Sequence, residues 1–484
     1  MLYYLGLTPA YPWLRTFNVF LYHGILLLAV LTAMYLVVRR LSAAGYEKKQ
    51  ILIICAFTLL VAFPLGITTS HAAAMFYRPI DFWSWQALMQ AAFTGSTHTF
   101  HASIIGPAII LLVFFRLMKY RALELIDMVF LYVPVAHAIG RAACLIIGCC
   151  WGRSVLFDFF GIFSFRFRNP VPLYAILINL AIFFLLRRIY EAIYNTEAPN
   201  RGYSGAILGA YLLLYGGVRM TLEIFRVESI VAFGLSQAQI VMIGFILIGS
   251  AILFVAAFRN RSPREQKTAS QEKLTRYLCL VGFAGSYLLG FFALYRLMRT
   301  HVLGWPFAPV NDLTAAYSAI LEYSPVILFP LLALVWLKLA GLPLWTHFQW
   351  RRFSWLLYPA LAASLGYSVY LLVLRQPELR GLVFWPPVII LSLINAVSEE
   401  LTFRHGFFRL LETAGYGPAF TVAAQAALYS LAHFGLGSAV FGTLALCYGL
   451  LLGALREQTQ SVTPCIICHL LIDIGCIGYP MLAY

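Results

Sequence analysis

Six ionisable residues interrupt the apolar C-terminal third of the chain: Glu399, Glu400 and Arg404, then His433, then His469 and Asp473. Charge is costly in hydrocarbon, so such side chains inside membrane helices mark a functional site by default. Glu400 and Arg404 are four residues apart and share one face of a helix, where they can pair; His469 and Asp473 repeat that spacing. A carboxylate with a histidine can activate water and take its proton. A second histidine beside a protonated acid can donate to an oxyanion. Together these are the parts that peptide hydrolysis needs. The same residues also fit buried hydrogen bonds between helices, a proton or ion pathway, or a zinc site. Spacing leaves metal and metal-free chemistry both open.

A second set of polar residues lies in the N-terminal half. His101 sits in a glycine-flanked apolar run, and Gly140-Arg141 leads toward Cys144, Cys149 and Cys150. Tyr174 closes an Asn-Pro-containing stretch, and Arg219, Glu223 and Arg226 follow one another at the end of a later run, before Ser236, Gln237 and Gln239. Arg141 and Arg226 fall near the expected outer boundary, where a guanidinium fork suits a lipid phosphate. Interfacial snorkelling is the ordinary alternative for either arginine.

The elements that carry these residues are membrane helices. Of 484 residues, 62% are hydrophobic and 11% charged, in apolar runs that recur along the whole chain. A helix crosses a bilayer with about 20 apolar residues, and roughly 13 or 14 such runs are present. The expected fold is therefore all-α and polytopic. Continuous rather than alternating apolar runs exclude a membrane β-barrel. The expected spans are 17–38, 51–69, 86–115, 125–147, 171–190, 203–224 and 237–257, then 277–297, 319–341, 354–374, 384–403, 417–435, 437–455 and 462–482.

The net charge of +15 does not indicate nucleic acid, because the basic residues sit in short loops between apolar runs. Arg39, Arg40, Lys48 and Lys49 follow the first run, Arg116, Lys119 and Arg121 the third, and Arg187 and Arg188 the fifth. This is the positive-inside pattern of a bacterial cytoplasmic (inner) membrane protein, with its N-terminus outside. The pattern weakens later, where Arg296, Arg299, Arg375 and Arg380 fall on the expected outer side. The first run lacks a basic n-region, so no cleavable signal peptide is expected.

One sustained charged stretch, RNRSPREQKTASQEKLTR from Arg259 to Arg276, has the composition of a solvated linker. It divides the chain into a module over about 1–257, a cytoplasmic linker over 258–276, and a module over 277–484, with no internal repeat between them. Of the nine cysteines, Cys55, Cys279, Cys447 and Cys476 read as small hydrophobes. Cys144, Cys149 and Cys150 lie near the outer side, where a disulfide is permitted. A transient acyl or thioether group is the other option there, and their spacing matches no common zinc ligand set.

The runs Glu399-Glu400-Leu401-Thr402-Phe403-Arg404, Leu431-Ala432-His433 and His469-Leu470-Leu471-Ile472-Asp473 resemble the three motifs of the CPBP intramembrane proteases, which include CAAX-processing endopeptidases. The stretch LREQTQSVTPCIICH before the last motif is also similar, and the likeness spans about residues 384–480. It implies that Glu399 and His433 activate water, that Glu400 and Arg404 order the site, and that His469 with residue 473 holds the oxyanion. No cofactor is implied, with a metal in this site left open. Two positions depart from the family pattern: Asp473 stands where Asn is usual, and His405 intervenes before Gly406.

Residues 15–257 resemble prolipoprotein diacylglyceryl transferase. The matching features are FHxxxxG at 100–106, GR at 140–141, WGR at 151–153, NPxxLY at 169–174 and R-x3-E-x2-R at 219–226. That family moves diacylglycerol from phosphatidylglycerol to a lipobox cysteine. The resemblance implies phosphatidylglycerol as partner, Arg141 and Arg226 on its phosphate, and His101 assisting the thiol or orienting the lipid. Arg219, Gly140 and Tyr174 would complete the lipid site. Cys144 and Cys149 replace an Asn and a Glu of the family pattern. Joined in one chain, the two modules imply lipid attachment coupled to cleavage of membrane-anchored proteins bearing a cysteine near a transmembrane segment.

Overall fold

The computed structural model describes residues 12–75, 100–148, 150–159, 163–195, 201–226, 230–232, 235–259, 269–299, 310, 312–350, 352–374, 379–436 and 439–482. Almost all are helical, and twelve helices are long and apolar enough to cross a membrane. The chain is a multi-pass membrane protein. The sequence-based count is about one or two higher, and two runs account for the difference. Residues 86–99 of one expected span lie outside the described residues, leaving the shorter apolar helix Ser103–Leu117. Pro418–Leu436 is helical, and residues 437–438, which follow it, lie outside the described residues.

By contacts between Cα atoms the chain divides into two units, Met1–Trp151 with Pro170–Lys267, and Gly152–Asn169 with Thr268–Tyr484. The first unit contains α1 (Pro12–Ala43), α2 (Lys48–Phe57), a π turn at Thr58–Ala62, α3 (Phe63–Met75), α4 (Phe100–Leu117) and α5 (Ala122–Ile147). In chain order, a hairpin of β1 (Ser154–Phe159) and β2 (Phe163–Arg168) follows and groups with the second unit. After it come α6 (Val171–Tyr194), α7 (Ala206–Leu222), the short pair β3 (Ile230–Ala232) and β4 (Leu235–Ser236), and α8 (Gln237–Arg259). The hairpins went unforeseen in the sequence, although Phe163-Ser164-Phe165-Arg166-Phe167-Arg168 alternates with the period of a strand.

In the first unit α7 is the central helix, with most of its residues buried. Lipid tails are as apolar as leucine, so helices here associate through close packing rather than transfer from water. Glycines supply the approach between α7 and α8: a Cβ at Gly249 would lie 2.6 Å from Gly209 O and 2.7 Å from Leu213 N. The start of α7 is fixed by Gly205, whose φ of +97° disfavours any side chain. Asp127 of α5 accepts from Gly205 N at 2.7 Å and Leu208 N at 3.0 Å, capping α7 with a residue from another helix.

The second unit continues with α9 (Ala269–Arg299), α10 (Leu313–Tyr323), α11 (Leu328–Leu339), α12 (Leu357–Val369) and α13 (Trp385–Glu400). A π turn at Leu401–Phe407 leads into α14 (Phe408–Thr413), and α15 (Pro418–Leu436), α16 (Ala439–Thr459) and α17 (Thr463–Leu482) complete it. Helix α9 begins within the charged segment expected to be linker, so residues 269–276 are its first two turns. The extra residue His405 sits in the π turn, a form that holds one more residue per turn than an α-helix. Gly406 makes this possible, since its Cβ would lie 2.5 Å from Ala333 Cβ on α11. Helix α17 packs against α12 and α13. The contact with α12 closes at Gly475, where a Cβ would come within 2.5 Å of Ser368.

Candidate functional site

The second unit brings all six of its sequence-derived site residues together, from α13, the π turn, α15 and α17. Glu399 and Glu400 end α13, and Arg404 lies one turn on; Arg404 Nη1 pairs with Glu400 Oε1 at 2.9 Å, both side chains fully buried. A buried ion pair is tolerated only where further contacts compensate for desolvation. Two are present. The Arg404 guanidinium stacks over the Tyr429 ring at 4.2 Å, a cation–π contact. Glu400 Oε1 also accepts from His469 Nδ1 at 2.7 Å.

That last bond fixes the His469 ring. With its Nδ1–H on Glu400, Nε2 faces Glu399 Oε2 at 3.4 Å and Asp473 Oδ2 at 3.6 Å. His433 is oriented likewise: its Nδ1 lies 2.9 Å from the Tyr429 carbonyl, so Nδ1 carries the proton and Nε2 turns inward. There Nε2 lies 3.9 Å from Glu399 Oε2. That separation exceeds a hydrogen bond and suits a shared water. Glu399 Oε2 is buried and has no hydrogen bond of its own. Two imidazole nitrogens therefore flank one unsatisfied carboxylate oxygen.

Beside this group lies a cavity of about 270 Å³, lined by Asn395, Tyr429, His433, His469 and Asp473 on its polar side and by apolar side chains such as Phe441 and Leu444 elsewhere. Among the described residues no three His, Cys, Asp or Glu side chains are grouped to hold a metal ion.

Three contributors to this site escaped the sequence reading. Tyr429 is one α-helical turn before His433 and touches Arg404, His433 and His469. Asn395, one turn before Glu399, donates from Nδ2 to Asp473 Oδ2 at 2.9 Å. Tyr323 of α10 donates its hydroxyl to Asn395 Oδ1. The i, i+4 spacing of Asn395 to Glu399 and of Tyr429 to His433 was the available signal.

In the first unit, Arg141 of α5 donates from Nε to His137 Nε2 at 3.1 Å, and the His137 ring meets the edge of Tyr215 at 5.2 Å. Arg219 pairs with Glu223, while Arg226 Nε lies 3.9 Å from the same carboxylate. Ser236 donates to Glu223 Oε1 at 3.0 Å and is itself bonded to Gln239. Glu223, Arg226 and Arg141 all lie close enough to act electrostatically on Arg219. The cluster thus joins α5, the end of α7 and the start of α8. A Cβ at Gly140 would lie 3.4 Å from Leu26, and Tyr174 packs its ring against Phe225. His101 lies on α4, but its side chain is outside the described residues, as is Cys149. Cys144 is buried on α5 and Cys150, just beyond that helix, is half-buried.

Comparison with known proteins separates the same two regions. Residues 11–255 match the prolipoprotein diacylglyceryl transferase family, and residues 381–475 match the type II CAAX prenyl endopeptidase Rce1-like family. A phosphatidylglycerol–prolipoprotein diacylglyceryl transferase of Dehalococcoides mccartyi is 29% identical over 219 residues, covering 44% of this chain and 81% of that protein. A protein of the same name from Escherichia coli O1:K1 is 25% identical over 276 residues, covering 49% of this chain and 89% of its own length. One from Clostridium tetani is 25% identical over 170 residues, covering 34% and 67%.

Proposed function

This chain belongs to the prolipoprotein diacylglyceryl transferase family, and from that premise we propose that it is a bifunctional enzyme of the bacterial inner membrane. It transfers diacylglycerol from phosphatidylglycerol to a cysteine of exported, membrane-anchored proteins, and it cleaves peptide bonds within the membrane. The cleavage reading rests on one observation: the unsatisfied Glu399 Oε2 lies 3.9 Å from His433 Nε2 and 3.4 Å from His469 Nε2, next to a cavity.

In this reading a water sits between Glu399 Oε2 and His433 Nε2. Its oxygen attacks the peptide carbonyl while its proton passes to Glu399. The C–O bond forms and the carbonyl electron pair moves to oxygen on the side of His469, where hydrogen-bond donors stabilise it. The C–N bond then breaks as Glu399 returns the proton to the leaving nitrogen. Glu400 and Arg404 act through His469, holding its ring. Glutamic rather than metal chemistry is the simplest use of these residues.

For the transferase, a substrate cysteine attacks as thiolate. The C–S bond forms as the C–O bond to phosphate breaks, and glycerol phosphate leaves with the electron pair. Arg141 is the cation that suits this anion, because Arg219 and Arg226 already face Glu223. Its Nε is held by His137, which orients the guanidinium fork. His101 assists the thiol or orients the lipid, Gly140 and Tyr174 complete the lipid site, and Arg219 and Arg226, paired with Glu223, border it. Covalent joining raises the effective concentration of the second site for a substrate released by the first.

Mass spectrometry of membrane lipoproteins from cells expressing Glu399→Gln or Arg141→Ala tests both activities. Lipidated, uncut protein in the first and unlipidated protein in the second support the proposal. Loss of cleavage with lipidation unchanged in Arg141→Ala confines the first unit to recognition. Unchanged products in both variants contradict it.

A further inference from the structure

The hydrogen bond that Asp473 accepts points to a role different from the one its position in the motif implies. Its Oδ2 accepts from Asn395 Nδ2 at 2.9 Å and faces His469 Nε2 at 3.6 Å. Asp473 therefore serves the Asn395 amide as an acceptor. Asn395 is buried on α13, lines the cavity, and has its carbonyl Oδ1 engaged by the Tyr323 hydroxyl. The Asp473 carboxylate, which can only accept, sets the amide orientation: Nδ2 toward α17, and Oδ1 toward the Tyr323 hydroxyl on α10. An amide carries two N–H groups and Asp473 takes one.

We propose that Asn395 is the amide donor of the cleavage site and that Asp473 is its acceptor partner. Tyr323 sets the amide and Asn395 sets Asp473. Asp473 in turn keeps the His469 ring aligned from the side opposite Glu400. The second N–H of Asn395 faces the cavity that His433, His469 and Asp473 also line, where the peptide oxyanion forms. The donor function thus resides one helix away from the third motif. This inference rests on the peptide-cleavage reading above.

An exchange of the two groups tests it. Asn395→Asp sets carboxyl against carboxyl and removes the cavity-facing N–H, while Asn395→Asp with Asp473→Asn restores one amide and one acid across the same contact. The full-length chain is reconstituted in phosphatidylglycerol-containing vesicles. The probe is a synthetic transmembrane peptide with a diacylglyceryl-modified cysteine and a fluorophore–quencher pair across its apolar segment. With Asn395→Asp, kcat falls about 100-fold, as on losing one oxyanion donor, with KM within about twofold of the wild type. The exchanged double variant recovers at least about tenfold of that loss. In detergent, Asn395→Asp lowers the melting temperature by about 2–4 °C and the exchange returns it.

Wild-type activity throughout the series, with Glu399→Gln inactive, overturns the assignment of Asn395 and leaves the protease reading intact. A double variant no better than the worse single variant in both rate and melting also overturns it. Absence of cleavage by the wild type, or full cleavage by Glu399→Gln, contradicts the protease reading and this inference with it.

Discussion

His469 Nδ1 lies 2.7 Å from Glu400 Oε1 while the Nε2 of the same ring lies 3.4 Å from Glu399 Oε2. Adjacent carboxylates on one helix are thus engaged from opposite sides of a single imidazole, and they differ in role. Glu400 Oε1 is tied to Arg404 and to His469; Glu399 Oε2 stands between the Nε2 atoms of His433 and His469 without a hydrogen bond.

That asymmetry separates the two glutamates experimentally. Glu400→Gln keeps the shape but weakens the hold on the His469 ring and leaves Arg404 without its counter-charge. The cleavage rate is expected to fall about 10- to 100-fold, the size of effect seen when an orienting partner is lost. A progress curve on a fluorogenic transmembrane peptide measures it. A rate equal to wild type would show that the ring needs no such partner.

Arg404→Ala removes one partner of a fully buried pair and the cation over Tyr429. Leaving a buried charge uncompensated costs roughly 3–5 kcal/mol. A large drop in melting temperature in detergent is expected, and Glu400→Gln combined with Arg404→Met should lose much less. Equal melting of the single and double variants would contradict the pairing argument.

Outside the membrane spans, His347 offers a pH test. Burial, and next the nearby Arg456 charge, lower its pKa from the ordinary 6.5, while its Nδ1 contacts Gln460 O at 3.0 Å. In the window just below pH 6.5 the unfolded chain binds more protons at this residue than the folded chain. Its contribution to stability is complete above that pH and declines as pH falls through the window. Thermal melting between pH 7.5 and 5 should therefore show a shallower acid-side slope in His347→Gln than in wild type. An identical slope would exclude His347 as a contributor.

The glycine seam of the first unit predicts a selective defect. Gly249→Val places side-chain atoms where backbone already lies within 2.7 Å, which no rotamer relieves. Diacylglyceryl transfer should be lost, and single cysteines introduced into α7 and α8, which have none, should become accessible to thiol reagents. Retained transfer with unchanged labelling would show that the helices separate without consequence.

Much of this was legible in the sequence because charge is rare in hydrocarbon. Glu399, Glu400, Arg404, His433, His469 and Asp473 stood out for that reason, and the helix bounds followed from runs of apolar residues. Asn395, Tyr323 and Tyr429 did not stand out, since amides and tyrosines are ordinary in membrane helices and only tertiary contact reveals their role. The cluster around Glu223 shows the opposite limit. Arg219, Glu223 and Arg226 were visible as a motif, but which guanidinium faces the carboxylate depends on the end of α7, where the chain turns through the 3₁₀ segment Glu223–Phe225. The first turns of α9 were hidden because charged residues read as linker, although a helix can extend beyond the bilayer.

The most direct measurement is single-turnover cleavage of a diacylglyceryl-modified transmembrane peptide by the full-length Glu399→Gln variant in vesicles, with lipid transfer followed in the same preparation. Cleavage at least about 1,000-fold slower than wild type, with transfer unchanged, is expected if Glu399 is the base that activates water. Cleavage within a few-fold of wild type would contradict the assignment of the carboxylate between His433 and His469 as the centre of the reaction.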